Sequence, residues 1–289
     1  MASTQALKSR IRSVKNTKQI TKAMQLVAAS KMRRAQEADK ASAPYTRVAS
    51  ELLSFLASQV VTDDHPLFVR RDVRSKLVIV VSSDKGLAGA YNTNVFKAYM
   101  RELTQADKDG VQIRTIAVGR KISQFVSRLK GVDVVGVYEG LADRPSGREL
   151  HAILDTARDM FLSGEVDAVD VLYTEFVSSL SQVPKTRRLF PAGFEVGTVG
   201  NFVRDAKYEP NPGVILDAVA FRLVGAQLYQ ALLDGRASEH SMRMVAMKNA
   251  TDNASDLVDD LTLAMNKARQ GAITQELAEI SGGVEALND

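Results

Sequence analysis

The sequence predicts an α/β protein: a long antiparallel coiled coil of N- and C-terminal helices with a Rossmann-like α/β domain inserted between them. Three observations lead there. Beyond Pro212 there is no proline, and Ala, Leu, Met, Gln, Lys, Arg and Glu dominate, which is the composition of a long helix. Residues 3 to 59 carry a second helical pattern. Between the two, the hydrophobic period changes to short β-branched runs alternating with helical stretches, the pattern of a βαβ sheet. The boundaries read as 1–60 for the first helix, 61–207 for the α/β domain and 208–289 for the last helix.

The N-terminal helix places Leu7, Ile11, Val14, Ile20, Met24, Val27 and Ala28 on an apolar stripe. Its charge is one-sided, because every charged residue from Lys8 to Arg34 is basic and the first acid is Glu37. Pro44 removes a backbone donor and predicts a bend. The helix fades by Gln59, and Thr62 to Pro66 reads as a loop.

Strands are predicted at 77–81, 113–118, 132–138 and 168–174, with 182–189 as one more. The run Leu77 to Val81 is apolar throughout, as expected of a strand buried on both faces. Helical patterns occupy 92–105, 121–130 and 147–163, and glycines and prolines make 190–213 a linker. The last helix shows a seam of small residues stepping by four and three: Ala250, Ala254, Leu257, Leu261, Ala264, Ala268 and Gly271. If 213–281 is continuous, the rod is roughly 100 Å long at ~1.5 Å per residue. Gly225 and Gly235 each cost about 1 kcal/mol against alanine inside such a helix. Gly282 and Gly283 are predicted to end it. From Asp252 onward acids outnumber bases, so a basic helix and an acidic helix are predicted to pair.

With 289 residues the chain is large enough for a sizeable core, yet aromatics are 6% and tryptophan is absent. The absence of cysteine excludes a disulfide, a thiolate metal site and a cysteine nucleophile. No apolar run reaches membrane-spanning length and no signal-peptide core is present, so the chain is expected to be cytosolic in origin.

Chemistry-bearing patterns are few. Ser82 to Ala90 follows a strand and leads into a helix, where an α/β protein would hold a phosphate. It offers only Gly-x-x-Gly, neither a dinucleotide fingerprint nor a phosphate-binding Gly-Lys-Ser/Thr, and reads better as a tight turn. His65, His151 and His240 are scattered without ligand spacing, and no Gly-x-Ser-x-Gly elbow occurs. No catalytic, cofactor or metal residue is therefore expected. The basic helix is either a solvated face, a nucleic-acid surface or a surface for an acidic protein. Residues 1–44 contain no aromatic to stack on a base, which disfavours nucleic acid.

Four segments carry a specific resemblance: Ile20 to Gln36 (ITKAMQLVAASKMRRAQ), Ser83 to Asn92 (SDKGLAGAYN), Arg243 to Ala254 (RMVAMKNATDNA) and Ile273 to Ile280 (ITQELAEI). Together they resemble the gamma subunits of bacterial F-type ATP synthases, along the whole chain and in order. The resemblance implies a central rotor whose coiled coil runs through a ring of alpha and beta subunits. It implies an α/β domain at the foot, against epsilon and the membrane c-ring. Nucleotide chemistry would then belong to beta, and the complex would sit on the cytoplasmic side of the bacterial plasma membrane. By the same resemblance Lys31, Arg33 and Arg34 face an acidic loop of beta, while Arg269 and Gln270 latch onto a further beta loop. Tyr45 and Tyr208 fall where the family meets epsilon or the c-ring. Val284 departs from the family, which more often has alanine there, and the lack of cysteine excludes the thiol control of the chloroplast type. The competing readings are a nucleotide-binding α/β protein with helical arms and a basic coiled-coil adaptor for nucleic acid.

Overall fold

The computed structural model describes residues 4–57, 65–143, 147–193 and 212–285, with side chains described over 4–55, 65–143, 147–193 and 220–281. In chain order the elements are α1 (Thr4–Ala57), β1 (Ser75–Val81), α2 (Tyr91–Asp109), β2 (Gln112–Val118), α3 (Arg120–Val126), β3 (Asp133–Tyr138), α4 (Gly147–Leu162), β4 (Ala168–Phe176), β5 (Gln182–Phe190) and α5 (Pro212–Glu285). They form two compact units, one of Ala28–Arg243 and one of Met1–Val27 with Met244–Asp289. The division falls within the two long helices.

The larger unit is built on a five-stranded sheet of order β3-β2-β1-β4-β5. β1 pairs in parallel with β2 and β4, and β2 with β3. β5 runs antiparallel to β4 at the edge. That strand, predicted from 182–189, is interrupted by Pro184 and carries Lys185, Arg187 and Arg188, which suits an edge that must not recruit another chain. β1 is central and apolar on both faces because alternate residues feed two cores. Leu77, Ile79 and Val81 join Ile153 and Phe161 of α4, Ala49 and Leu53 of α1, and Val224 and Leu228 of α5. Val78 and Val80 join Tyr91, Val95 and Tyr99 of α2 and Ile122 of α3.

On the first of these faces α1 and α5 run antiparallel. Ser42 Oγ donates to Gln230 Oε1 at 2.6 Å, and Gln227 Nε2 donates to Ser50 Oγ at 2.9 Å. Two interior glycines of α5 mark close approach. A Cβ on Gly225 would stand 3.3 Å from Leu154 Cδ2, and one on Gly235 would stand 3.3 Å from Val81 Cγ1 and 3.4 Å from Tyr91 Oη. α1 continues through Pro44, which removes one rung of the hydrogen-bond ladder without ending the helix. α3 is shorter than its sequence pattern, closing at Val126. α5 passes Gly282 and Gly283 and ends at Glu285, since glycine weakens a helix without forbidding it.

In the smaller unit the two chain ends pair with each other. Lys18 Nζ donates to Ser255 Oγ at 2.9 Å, and the Thr21 and Thr251 hydroxyls meet at 2.8 Å, so the helices are antiparallel here too. The seam of α5 is Met247, Thr251, Ala254, Val258, Leu261, Met265 and Ala268, stepping by four and three. The expected seam shares only Ala254, Leu261 and Ala268 with it. Ala264, Gly271 and Leu257 face outward, so the true seam is rotated by one residue. Thr251 is tolerated inside because its hydroxyl also reaches the Met247 carbonyl at 2.8 Å. On α1, Leu7 and Ile11 are buried, whereas Ile20 and Val27 of the expected stripe are more than half exposed. Among the described residues, no ion pair links the basic residues of α1 to Asp252, Asp256, Asp259 or Asp260. These acids lie on the outward face, and the seam is held by apolar packing and hydroxyls.

Two predictions follow from this packing. Ala254→Leu should overpack the seam and cost about 1–3 kcal/mol, while Ala264→Leu on the outward face should be near neutral; thermal unfolding of the full chain distinguishes them. Asp234 of α5 is pushed up to about 7 by burial first and by Asp39 of α1 second, with Glu175 adding to the shift and Arg187 and the Phe176 amide opposing it. The folded state therefore holds a proton that the unfolded chain releases above pH ~4, and the contribution of Asp234 to stability should fall as pH rises from ~4 to ~7. Asp234→Asn should lack that decline, and the difference between the two chains should change by about 2 kcal/mol over the interval when followed by denaturant unfolding.

Candidate functional site: a self-filled crevice and two exposed helix faces

In doubly wound sheets ligands bind outside the carboxyl ends of the strands. Here the chain fills that crevice with its own groups. The Asp84 carboxylate, just past β1, accepts the amide N–H of Arg120 at the start of α3 and that of Gly140 after β3, both at 3.0 Å. Arg236 of α5 reaches Asp84 Oδ2 at 3.5 Å and donates to the Leu141 carbonyl at 2.7 Å. Arg243 donates to the carbonyls of Lys85 at 3.2 Å and Gly86 at 3.3 Å. The loop also bonds to itself, with Ser83 Oγ donating to the Lys85 carbonyl at 2.7 Å and Asn92 Nδ2 donating to Ser83 Oγ at 2.8 Å. Gly119 closes the β2–α3 turn at φ +99°, and a Cβ there would strike the Ser82 carbonyl. The one left-handed non-glycine residue among those described is Leu87, at φ +60° and exposed.

The electrostatics follow from these contacts. Burial raises the Asp84 carboxyl, but the two amide bonds and Arg236 outweigh it and hold the group below the usual carboxylate range. A phosphate at the amides of Arg120 and Gly140 would meet this carboxylate, so that part of the crevice is occupied by a structural anion. The three histidines stay apart, and no cluster of ligating side chains suited to a metal occurs among the described residues.

The sequence-derived partner residues fall into separate places. Arg33 and Arg34 are exposed on α1, with Arg34 Nη2 reaching Ser30 Oγ at 3.4 Å. Lys31 instead turns inward enough to pair with Asp143, Nζ to Oδ2 3.0 Å, although it remains 42% exposed. Tyr45 is exposed farther along the same helix. Tyr208 lies outside the described residues, as does the side chain of Val284. Arg269 and Gln270 are exposed at the point where the seam of α5 ends.

Two apolar features were missed by sequence reasoning. Ile20, Leu26 and Val27 stand exposed on α1 among Lys22 and the basic residues on either side. Ile273, Leu277 and Ile280 form an exposed i, i+4, i+7 stripe on α5, beyond Arg269 and Gln270. The available signal was register: neither set lies in phase with the four–three steps of the paired seam.

The sequence model of the family described as ATP synthase matches residues 3–287. The chain is 40% identical to the ATP synthase gamma chain of Glaesserella parasuis, over 99% of this chain and 100% of that one. It is 42% identical to the gamma chain of Actinobacillus pleuropneumoniae serotype 5b, with the same coverage. This chain belongs to the ATP synthase gamma-chain family. Solved structures agree on the fold. A chain from the Euglena gracilis mitochondrial ATP synthase, in an assembly described as OSCP/F1/c-ring, superposes with a TM-score of 0.68 at 16% identity, covering 98% of this chain and 94% of that one. One from the central stalk/c-ring of the Tetrahymena thermophila mitochondrial ATP synthase gives 0.59 at 24% identity, covering 80% and 99%.

Asp84→Asn should weaken the seal of the crevice by about 1–3 kcal/mol at neutral pH, because Arg236 loses its charge-assisted partner on the sheet. Asp84 titrates below its unfolded value, so its contribution is present above pH ~4 and disappears as pH falls through the folded pKa. The gap between wild type and Asp84→Asn in thermal melts should accordingly close in acid.

Proposed function

We infer that this chain is the central-stalk rotor of an F-type ATP synthase, coupling rotation of a membrane c-ring to ATP synthesis, and to hydrolysis in reverse, in a head of alpha and beta subunits. The observation that supports this most directly is the pairing of the chain's two ends into a two-helix shaft, in a sequence related over its whole length to ATP synthase gamma chains. A stiff shaft that presents different faces to successive beta subunits acts as a ligand with differential affinity for their conformational states. Turning it moves each site through those states in sequence, and the bond-making steps remain with beta. The chain itself is non-catalytic.

The proposed contacts are specific. Arg33 and Arg34, with Lys31 beside them, meet an acidic loop of beta, and the exposed Ile20, Leu26 and Val27 supply apolar area on the same helix. Arg269 and Gln270 latch onto a second beta loop, where the exposed guanidinium offers a planar fork of donors suited to a carboxylate. Tyr45 and Tyr208 meet epsilon or the c-ring. No helix among the described residues is long and apolar enough to cross a membrane. We place the assembly on the cytoplasmic side of the bacterial plasma membrane, held there through the c-ring.

The test is co-expression with the alpha and beta subunits of the same organism, followed by gel filtration and an ATPase assay. One large complex, with steady hydrolysis dependent on this chain, is expected; elution of the chain alone with no gain in hydrolysis overturns the reading. In that complex Arg269→Ala should lower turnover about tenfold, as for loss of one charge-assisted hydrogen bond of about 1.5 kcal/mol. Circular dichroism of the isolated chain should be unchanged, since Arg269 lies outside the paired seam.

A further inference from the structure

Charged side chains form one connected network at the crevice end of the α/β unit. From α1, Lys31 Nζ meets Asp143 Oδ2 at 3.0 Å. Asp143 Oδ1 lies 3.3 Å from His240 Nε2, and His240 Nδ1 lies 3.3 Å from Arg243. Arg243 pairs with Glu239 at 2.8 Å, Glu239 with Arg236 at 3.0 Å, and Arg236 with Asp84 at 3.5 Å. Three cations face three carboxylates. Burial lowers the His240 pKa, which keeps the ring neutral, so Nδ1 accepts from Arg243 and Nε2–H donates to Asp143. The side chains of Arg236, Glu239, His240 and Arg243 are each no more than 12% exposed.

Such a network is a poor way to gain stability. Buried ion pairs often do no better than apolar groups of the same size, because desolvation offsets their attraction. What they supply is direction. Leu and Val contacts between α5 and the sheet tolerate small slides and rotations of the helix. A guanidinium fork fixed to the carbonyls of Leu141, Lys85 and Gly86 does not. The network also joins the places where both long helices reach the limit of this unit: Lys31 lies three residues inside its α1 boundary at Ala28, and Arg243 is its last residue on α5.

We propose that this network is a torque clamp: it locks α1 and α5 against rotation on the α/β domain and so sets the torsional stiffness with which the rotor passes load. The proposal rests on the rotor reading above. Arg236 and Arg243 are its positioning residues, Asp84 and the Lys85, Gly86 and Leu141 carbonyls are its fixed points on the α/β domain, Glu239 on the same helix pairs with both guanidiniums, and Lys31–Asp143–His240 extends it to α1.

The test is single-molecule rotation of the alpha–beta–gamma complex with the head immobilised. The chain has no cysteine, so Leu180→Cys, at the exposed tip of the β4–β5 hairpin, gives a unique attachment for a bead on the α/β domain. The angular variance of the bead during catalytic pauses reports torsional stiffness. Arg236→Met and Arg243→Met, made together with Glu239→Gln so that no unpaired carboxylate stays buried, should raise that variance about twofold or more while hydrolysis stays within about twofold of wild type, because burial is kept and direction is lost. Replacing both arginines by lysine, which keeps charge without the fork, should fall between, and serves as the variant of record if the methionine pair fails to assemble. Leu228→Ala, a cavity in the apolar core of the same unit, should leave the variance near wild type at a comparable loss of melting temperature. Unchanged variance in the arginine variants, or equal widening with Leu228→Ala, overturns the clamp. Failure of the unsubstituted complex to rotate overturns the rotor reading and the clamp with it.

Discussion

Antiparallel packing of the first helix against the last is the constraint on which the rest of this protein depends. In the smaller unit it is expressed by Lys18–Ser255 and Thr21–Thr251, and in the larger by Ser42–Gln230 and Gln227–Ser50. Because the chain's ends must meet, everything between them is an insertion, and one face of its sheet is covered by the same two helices. Ala49, Leu53, Val224 and Leu228 serve as core for a sheet formed by other parts of the chain. These contacts join residues 177 to 237 positions apart, so closing them costs more chain entropy than contacts within the α/β domain.

How legible this was in the sequence depended on how local the determinants are. The parallel strands stood out because continuous β-branched runs such as Leu77 to Val81 have few other uses, and their boundaries fell within a few residues of the observed ones. β5 was fainter because Pro184 and three basic residues, which suit an unpaired edge, are also what loops contain. The coiled-coil seam was misread by one residue for a physical reason: Thr251 and Lys18 occupy half-buried or buried seam positions by hydrogen bonding across the interface, and a search for apolar residues passes over them. Small outward residues such as Ala264 then looked like seam. The pairing of basic with acidic helix pointed to the correct partner, although the described contacts between them are apolar and hydroxyl contacts.

The proposed contact surfaces divide in the same way. Arg33, Arg34, Arg269 and Gln270 could be named from family resemblance, and each is exposed. That Lys31 is shared with Asp143 could not be read, since Asp143 lies in the segment after β3 and only the fold brings it to α1. Asp84 and Arg236 are 152 residues apart, and nothing in either neighbourhood advertises the other. Within the resembling motif Ser83 to Asn92, the glycines suggested a phosphate turn, whereas Asp84 is the residue that decides the matter.

That decision separates fold from function. A sheet of order β3-β2-β1-β4-β5 with a glycine-bearing turn after its central strand is the architecture of many nucleotide-binding proteins, and architecture alone would favour that reading. Here the amides at the start of α3 and after β3 already hold a carboxylate, and the guanidinium that neutralises it arrives from α5. The positive groups that a nucleotide site would aim at phosphate are instead spent on joining helix to sheet. A Rossmann-like crevice closed in this manner becomes a socket for the chain's own long helix, and the contact most useful to a rotating shaft is one that resists turning as well as separation.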